Sequence, residues 1–150
     1  MNNLKKILFI IPYFGTFNNY FPFFLKSCEM NAEYNWLIIT DDKRNFFYPT
    51  NVKVVYTEFD KFKEMVKNKF LNIEISLESP YKLCDFKPTY GYIFEDYIKN
   101  YEYWGYCDID LIFGNIQKCL KLEKLKEFDK IGTLGHFTIF KNTKELRELF

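Results

Sequence analysis

Short apolar runs alternate with amphipathic stretches along this chain, and this alternation restricts the possible fold more than any other feature. The run Ile7–Ile11 contains no polar residue, which is typical of a strand covered on both faces of a sheet. Shorter runs predict further strands at Trp36–Ile39, Val52–Tyr56 and Tyr103–Cys107. Strands that alternate with helices form βαβ units, so the pattern predicts an α/β fold with a mostly parallel sheet flanked by helices.

Helical periodicity fills the segments between these runs. Apolar residues recur at helical spacing over 17–28 and 59–70, and Ser79-Pro80 is typical of a helix start. The clearest stripe predicts one helix from Tyr90 to Ile98. The weaker patterns beyond residue 110 predict a surface helix near 120–128, a strand at 137–140 and a helix from Thr143.

Composition excludes several classes of protein. The chain has 150 residues, enough for one domain, and its 21 Lys and Arg residues against 20 Asp and Glu give no field that would attract nucleic acid. The 4 cysteines form no Cys-x-x-Cys pair, which favours free thiols in a cytoplasmic protein. No apolar run approaches the length of a transmembrane helix, so any membrane association would be peripheral, at the inner face.

Polar and aromatic residues follow the predicted strands at the points where they end. Pro12-Tyr13 follows the first strand, Asp41-Asp42 the second and Asp108-Ile109-Asp110 the fourth. Ligands of parallel α/β sheets bind beyond the carboxyl ends of the strands, so these groups are expected at one rim. The aromatic rings expected at that rim are Tyr13, Phe14 and Tyr90.

The Asp-x-Asp sequence is the strongest chemical signal. In an extended backbone, Asp108 and Asp110 face the same side while Ile109 turns into the core. Two convergent carboxylates suit Mg²⁺ or Mn²⁺ held with the phosphates of a nucleotide. The alternative is that one of these aspartates only caps a turn or a short helix that begins near Leu111.

Two segments carry a family resemblance: Tyr81–Gly91, with the sequence YKLCDFKPTYG, and Tyr103–Gly114, with the sequence YWGYCDIDLIFG. They resemble a family of little-characterised bacterial glycosyltransferase-like proteins, grouped with polysaccharide-biosynthesis enzymes of the GT-A (nucleotide-diphospho-sugar transferase) fold. The resemblance implies a Rossmann-like GT-A domain in which Asp108 and Asp110 hold Mn²⁺ or Mg²⁺ on the donor diphosphate.

The resemblance also implies a set of residues that contact the nucleotide-sugar donor: Tyr13, Asp41, Asp42, Lys82, Asp85, Lys87, Tyr90, Asp108 and His136. More distant relatives usually have Arg three residues after the helix aspartate, where this chain has Pro88, so Lys87 or Lys82 would supply that charge. Each residue also has a structural interpretation: a core ring for Tyr13, a turn for the Asp41-Asp42 pair, a helix end for Asp85 and a loop for His136.

The expected function is that of a metal-dependent hexosyltransferase of surface polysaccharide biosynthesis, which moves a sugar from a nucleotide diphosphate sugar to a glycan or lipid-linked acceptor. No residue is assigned as its catalytic base. The alternative is a catalytically incomplete nucleotide-sugar-binding fragment or interaction module. A methyltransferase-like enzyme is disfavoured because residues 12–17 form no glycine-rich loop.

GT-A domains are usually longer than this chain. We therefore expect residues 1–150 to be the donor-binding portion of a C-terminally truncated GT-A-like domain, with the acceptor part incomplete or missing. An apolar edge near residues 137–150 would then be covered by the continuation.

Overall fold

A six-stranded mixed sheet organises the protein, whose computed structural model describes residues 5–150. Its strands are β1 (Lys5–Pro12), β2 (Asn35–Thr40), β3 (Val52–Tyr56), β4 (Tyr101–Cys107), β5 (Lys130–Ile131) and β6 (Phe137–Lys141). The spatial order is β3-β2-β1-β4-β6-β5. The ladders from β3 to β4 are parallel, whereas β6 pairs antiparallel with both β4 and β5. The expected α/β class is confirmed, and the expected parallel arrangement holds only for the first four strands.

Helices cover both faces of this sheet. They are α1 (Phe21–Glu29), α2 (Phe59–Lys69), α3 (Tyr90–Ile93), α4 (Glu95–Ile98), α5 (Ile116–Cys119), α6 (Leu122–Leu125) and α7 (Lys144–Arg147), with 3-10 turns at Pro80–Cys84 and Lys87–Thr89. Pro22 lies in the first turn of α1, where its missing N–H is tolerated. No helix formed by residues 5–150 combines the length and apolar character that crossing a membrane requires.

Two predicted helices are wrong in extent. The single helix expected from Tyr90 to Ile98 is interrupted at Phe94, which has φ −107° and ψ 27° and separates α3 from α4. Phe94 stays buried against Phe62 and Tyr90, so packing of its ring overrides the helical periodicity. The surface helix expected near 120–128 is replaced by the single-turn helices α5 and α6, followed by the unpredicted strand β5.

Alternate residues of β1 supply the two halves of the core. Ile7, Phe9 and Ile11 pack with α1 on one face of the sheet. Leu8 and Ile10 pack on the other face with α2, α3 and α4. This two-sided burial explains why Ile7–Ile11 has no polar residue, and it makes β1 the central strand of the fold.

The apolar edge expected near residues 137–150 is present only in part. Ile139 is buried, and the Phe140 ring stacks on Trp104 with centroids 4.5 Å apart. Phe150 lies edge-on to Phe70 at 5.5 Å, while Leu149 is exposed. The apolar residues of β6 thus already have partners within the sheet and its helices.

Gly105 allows β4 and β6 to approach closely. A Cβ atom at this position would lie 2.3 Å from the carbonyl oxygen of Thr138 on β6 and 3.3 Å from the ring of Phe9. The oxygen belongs to the backbone of a paired strand and cannot move aside without breaking the ladder. Gly105 therefore serves the close approach of the neighbouring backbone of β6.

We expect Gly105→Ala to lower the free energy of unfolding by about 3 kcal/mol, because the new methyl group forces β4 and β6 apart. Gly114→Ala is the matched control, since a Cβ there meets nothing within 4 Å. Urea denaturation followed by circular dichroism measures both variants. Equal stability of the two would contradict the close approach at Gly105.

Candidate functional site

A cleft of about 550 Å³ opens at the carboxyl ends of β1 and β4. The chain runs from β1 outward to β3 and then returns to β4 on the other side of β1, so the cleft lies at the switch point where α/β sheets bind ligands. Its walls come from the end of β1 and the loop after it, the 3-10 turns, and the end of β4. The lining residues are Ile10, Ile11, Pro12, Tyr13, Phe14, Asn18, Pro80, Tyr81, Leu83, Cys84, Lys87, Tyr90, Tyr106, Cys107, Asp108, Ile109 and Asp110.

The carboxylate of Asp108 is the centre of a charged cluster at this cleft. Its Oδ1 forms an ion pair with the ammonium group of Lys87, and its Oδ2 lies 3.0 Å from Nδ1 of His136. The Asp108 backbone N–H also donates to the carbonyl of His136 at 2.9 Å. The Asp108 side chain is 29% exposed, so this cluster is partly shielded from water. Both oxygens of the carboxylate therefore already face nitrogen atoms that can carry positive charge.

Lys87 connects this carboxylate to the loop of residues 132–136. Its Nζ donates to the Gly135 carbonyl at 3.1 Å and lies 5.5 Å from the centroid of the Tyr106 ring. The antiparallel pairing of Cys107 with Phe137 brings this loop beside the end of β4. Residues far apart in sequence thus meet because β6 runs back along β4.

Asp110 is placed differently from Asp108. β4 ends at Cys107, and Ile109 and Asp110 form a turn, so the expected extended geometry is wrong here. Ile109 still packs into the core, and both aspartates line the cleft. Among the residues that the structure describes, no group forms a hydrogen bond or ion pair with the exposed Asp110 carboxylate. Asp110 is therefore an available oxygen ligand at the rim.

The residues at this rim suit one kind of metal site. Within residues 5–150, no group of three or more His, Cys, Asp or Glu side chains could hold a metal ion. Mg²⁺ is commonly held by one or two carboxylates, with phosphate oxygens and water completing its octahedron. Asp110 and Asp108 fit a cation of this kind that binds together with a phosphate group, because they offer it two carboxylates, of which that of Asp108 also contacts Lys87 and His136. They do not fit a site in which protein groups alone surround the metal.

The three rings expected at the rim have different positions. Tyr13 is partly exposed, stacks on Phe17 with centroids 5.0 Å apart, and donates its hydroxyl to the Thr16 carbonyl at 3.2 Å. Phe14 is buried, and Tyr90 is only 2% exposed. The Tyr90 hydroxyl donates to the Leu83 carbonyl at 3.0 Å, and burial raises the pKa of this phenol. Tyr13 is thus the ring with accessible surface, while the other two form the floor.

Asp41 and Asp42 hold the loop after β1 and do not line the cleft. Oδ1 of Asp41 accepts a hydrogen bond from the Gly15 N–H at 2.7 Å. Oδ2 of the buried Asp42 accepts from the Phe17 N–H at 2.9 Å and from Arg44 Nη2 at 2.6 Å. These bonds, with that from Arg44 the strongest, lower the pKa of Asp42 well below its ordinary value. The structure therefore shows a structural role for Asp42, and the donor contact expected for it stays a prediction.

Two further expected donor residues also lie outside the cleft. Lys82 and Asp85 are exposed and pair with each other across one 3-10 turn, with Nζ 3.3 Å from Oδ2. Lys87 is therefore the basic residue that this segment brings to the cleft. His136 is mostly exposed and reaches the site through its contact with Asp108.

Two cleft residues, and one residue that binds Lys87 from outside the cleft lining, are not among the candidates that the sequence indicates. Tyr81 is 84% exposed at the cleft, Cys84 lies beside it, and the Gly135 carbonyl holds Lys87. A proline-led 3-10 turn places Tyr81 and Cys84. The role of Gly135 depends on the reversed direction of β6, for which the sequence carries no local signal.

We expect Asp42→Asn to lower the free energy of unfolding near pH 7 by about 2 kcal/mol, because Asn cannot form the charge-assisted bonds to Arg44 and Phe17. The carboxylate has a depressed folded pKa, so its contribution is complete above its unfolded pKa of about 3.9 and is lost as the pH falls below that value. The difference between the two proteins should therefore shrink toward pH 3. Urea denaturation at several pH values measures it, with the exposed Asp85→Asn as control. A difference that is independent of pH would contradict the charged pairing.

Comparison with known protein families gives one match. Residues 9–150 match the model of a family described as a family of unknown function, DUF6625. No curated protein and no solved structure matches the chain. The resemblance to GT-A glycosyltransferases therefore stays a prediction. Because the match covers nearly the whole sequence, the chain belongs to the DUF6625 family.

Proposed function

We propose that this protein is a metal-dependent glycosyltransferase of GT-A type whose donor is a nucleotide diphosphate sugar. The observation that carries the proposal is the pair of carboxylates, Asp108 and Asp110, at the end of β4 in the switch-point cleft. In the proposal, these residues hold Mg²⁺ or Mn²⁺ on the donor diphosphate. The proposed acceptor of the sugar is a glycan or a lipid-linked molecule, and the proposed process is surface polysaccharide biosynthesis at the inner face of the membrane.

The dimensions and lining of the cleft support this choice of ligand. Its volume of about 550 Å³ lies within the range of small-molecule sites. The accessible face of Tyr13 offers a surface on which a nucleobase or ribose can pack. Lys87, which also lines the cleft, supplies a compact positive charge for phosphate oxygens beside Asp108. Base, diphosphate and cation would thus each meet a matching group.

The metal, when bound, would act as a Lewis acid on the leaving diphosphate. The residues of this chain then have separate tasks: Asp108 and Asp110 hold the cation, Lys87 donates to phosphate oxygens, and Tyr13 orients the nucleoside. This division places positive charge where the leaving group becomes more negative.

A binding module without transferase activity is the second candidate. Among the described residues that line the cleft, the carboxylates are Asp108 and Asp110, and the proposal uses both for the cation. A base for attack by the acceptor is therefore not assigned. This observation favours donor binding without transfer as the specific alternative.

We expect a nucleotide diphosphate sugar with Mn²⁺ to raise the melting temperature by about 8 °C at a ligand concentration 100 times its dissociation constant. Asp108→Asn combined with Asp110→Asn should abolish this shift, because the cation loses both carboxylates. A thermal-shift panel of nucleotide sugars, each with and without Mn²⁺, measures the effect. Asp129→Asn, an exposed aspartate that does not line the cleft, is the control.

A shift that persists in the double variant would show that the metal assignment is wrong. Chromatographic detection of the free nucleoside diphosphate and of the glycosylated acceptor separates the two candidate functions. Binding without any turnover on glycan or lipid-linked acceptors would favour the module.

A further inference from the structure

One carboxylate at the cleft has two competing tasks. Both oxygens of Asp108 are engaged within the protein, by Lys87 and by His136. Through these residues, Asp108 also holds loop 132–136 against the end of β4. A cation that takes an oxygen of Asp108 therefore competes with these groups for the negative charge of the carboxylate.

The charges at the site determine which group leaves. A divalent cation on Asp108 and Asp110 would lie next to the Lys87 ammonium, and the two positive charges repel. The Lys87 side chain is 19% exposed and packs over Tyr106, so it is not free to retreat fully into water. A diphosphate relieves this conflict, because its oxygens accept both the cation and the ammonium group.

We propose that Lys87 is an exchangeable counter-ion: it neutralises Asp108 in the free protein and transfers to the diphosphate when a divalent cation replaces it. The exchange rests on the proposed function, since it specifies how the same site accepts its ligands. It makes binding of the cation and the diphosphate mutually dependent. It also removes the Lys87 bond to Gly135.

Loop 132–136 is built to respond to this exchange. Gly132 and Gly135 have φ values of +97° and +78°, in the region that favours glycine, and Leu134 between them is exposed. The side-chain bonds that hold the loop to β4 pass through Lys87 and Asp108. When Lys87 changes partner, the loop keeps its backbone pairing and the contact of His136 with Asp108, but its tip loses the bond to Lys87 at Gly135 and becomes free to move.

The test compares binding of Mn²⁺ alone with binding of Mn²⁺ and inorganic pyrophosphate by titration calorimetry. In Lys87→Gln, we expect Mn²⁺ alone to bind at least about tenfold more tightly, because the repelling charge is gone. The same variant should bind pyrophosphate in the presence of Mn²⁺ about tenfold more weakly, because it lacks the ammonium donor. Effects of opposite sign on the two ligands are specific to an exchange.

Two further variants control this test. Lys87→Arg keeps the charge and should retain the wild-type behaviour toward Mn²⁺ alone. Lys69→Gln removes a comparable ion pair, 2.9 Å from Glu95 and outside the cleft, and should leave both affinities unchanged. Hydrogen exchange gives an independent readout: the amides of residues 132–136 should exchange faster once Mn²⁺ and pyrophosphate are bound to the wild type.

Weaker or unchanged Mn²⁺ binding in a folded Lys87→Gln variant would overturn the exchange. Unchanged hydrogen exchange in the loop at saturating ligand would also overturn it. Neither result contradicts the proposed function if nucleotide sugars with Mn²⁺ still stabilise the wild-type protein. If nucleotide sugars with Mn²⁺ do not stabilise the wild-type protein, the proposed function itself is wrong.

Discussion

The antiparallel pairing of β4 with β6 is the contact on which the site depends. Gly105 permits it, because any side chain there would collide with the Thr138 carbonyl. The pairing turns the chain back at the carboxyl end of β4 and sets His136 and Gly135 beside Asp108. Without this reversal, Asp108 would follow a parallel strand and would lack its contacts with His136. A backbone constraint in the sheet thus determines the electrostatics of the cleft.

The elements that sequence reasoning anticipated are those set by local patterns. The first four strands follow from apolar runs, since burial on both faces leaves a continuous signal in β1. The break at Phe94 could not be anticipated, because it arises from packing against Phe62, a residue distant in sequence. The direction of β6 was missed for the same reason, because the sequence of Phe137–Lys141 is compatible with either direction.

The candidate site shows the same division between local and distant information. Asp108 and Asp110 were identified because they directly follow a predicted strand, and both reach the cleft. The role of Asp42 cannot be read from the sequence, because an acidic pair after a strand has the same pattern whether it binds a ligand or the protein backbone. In the structure, its carboxylate accepts from the Phe17 N–H and from the Arg44 side chain. The contact of Lys87 with Asp108 depends on tertiary structure, which no spacing in the sequence reports.

The hydrogen bonds of Asp41 and Asp42 make one wall of the cleft more rigid than the other. They fasten the Tyr13 wall of the cleft to the end of β2, so this wall is fixed before any ligand arrives. The opposite wall includes the ion pair between Lys87 and Asp108, which a charged ligand exchanges in our proposal. A cleft with one rigid and one adjustable side discriminates strictly among groups that pack against the rigid side and tolerates variation on the other. Substitution of the Asp42 anchor would therefore loosen the Tyr13 wall, although this residue does not line the cleft.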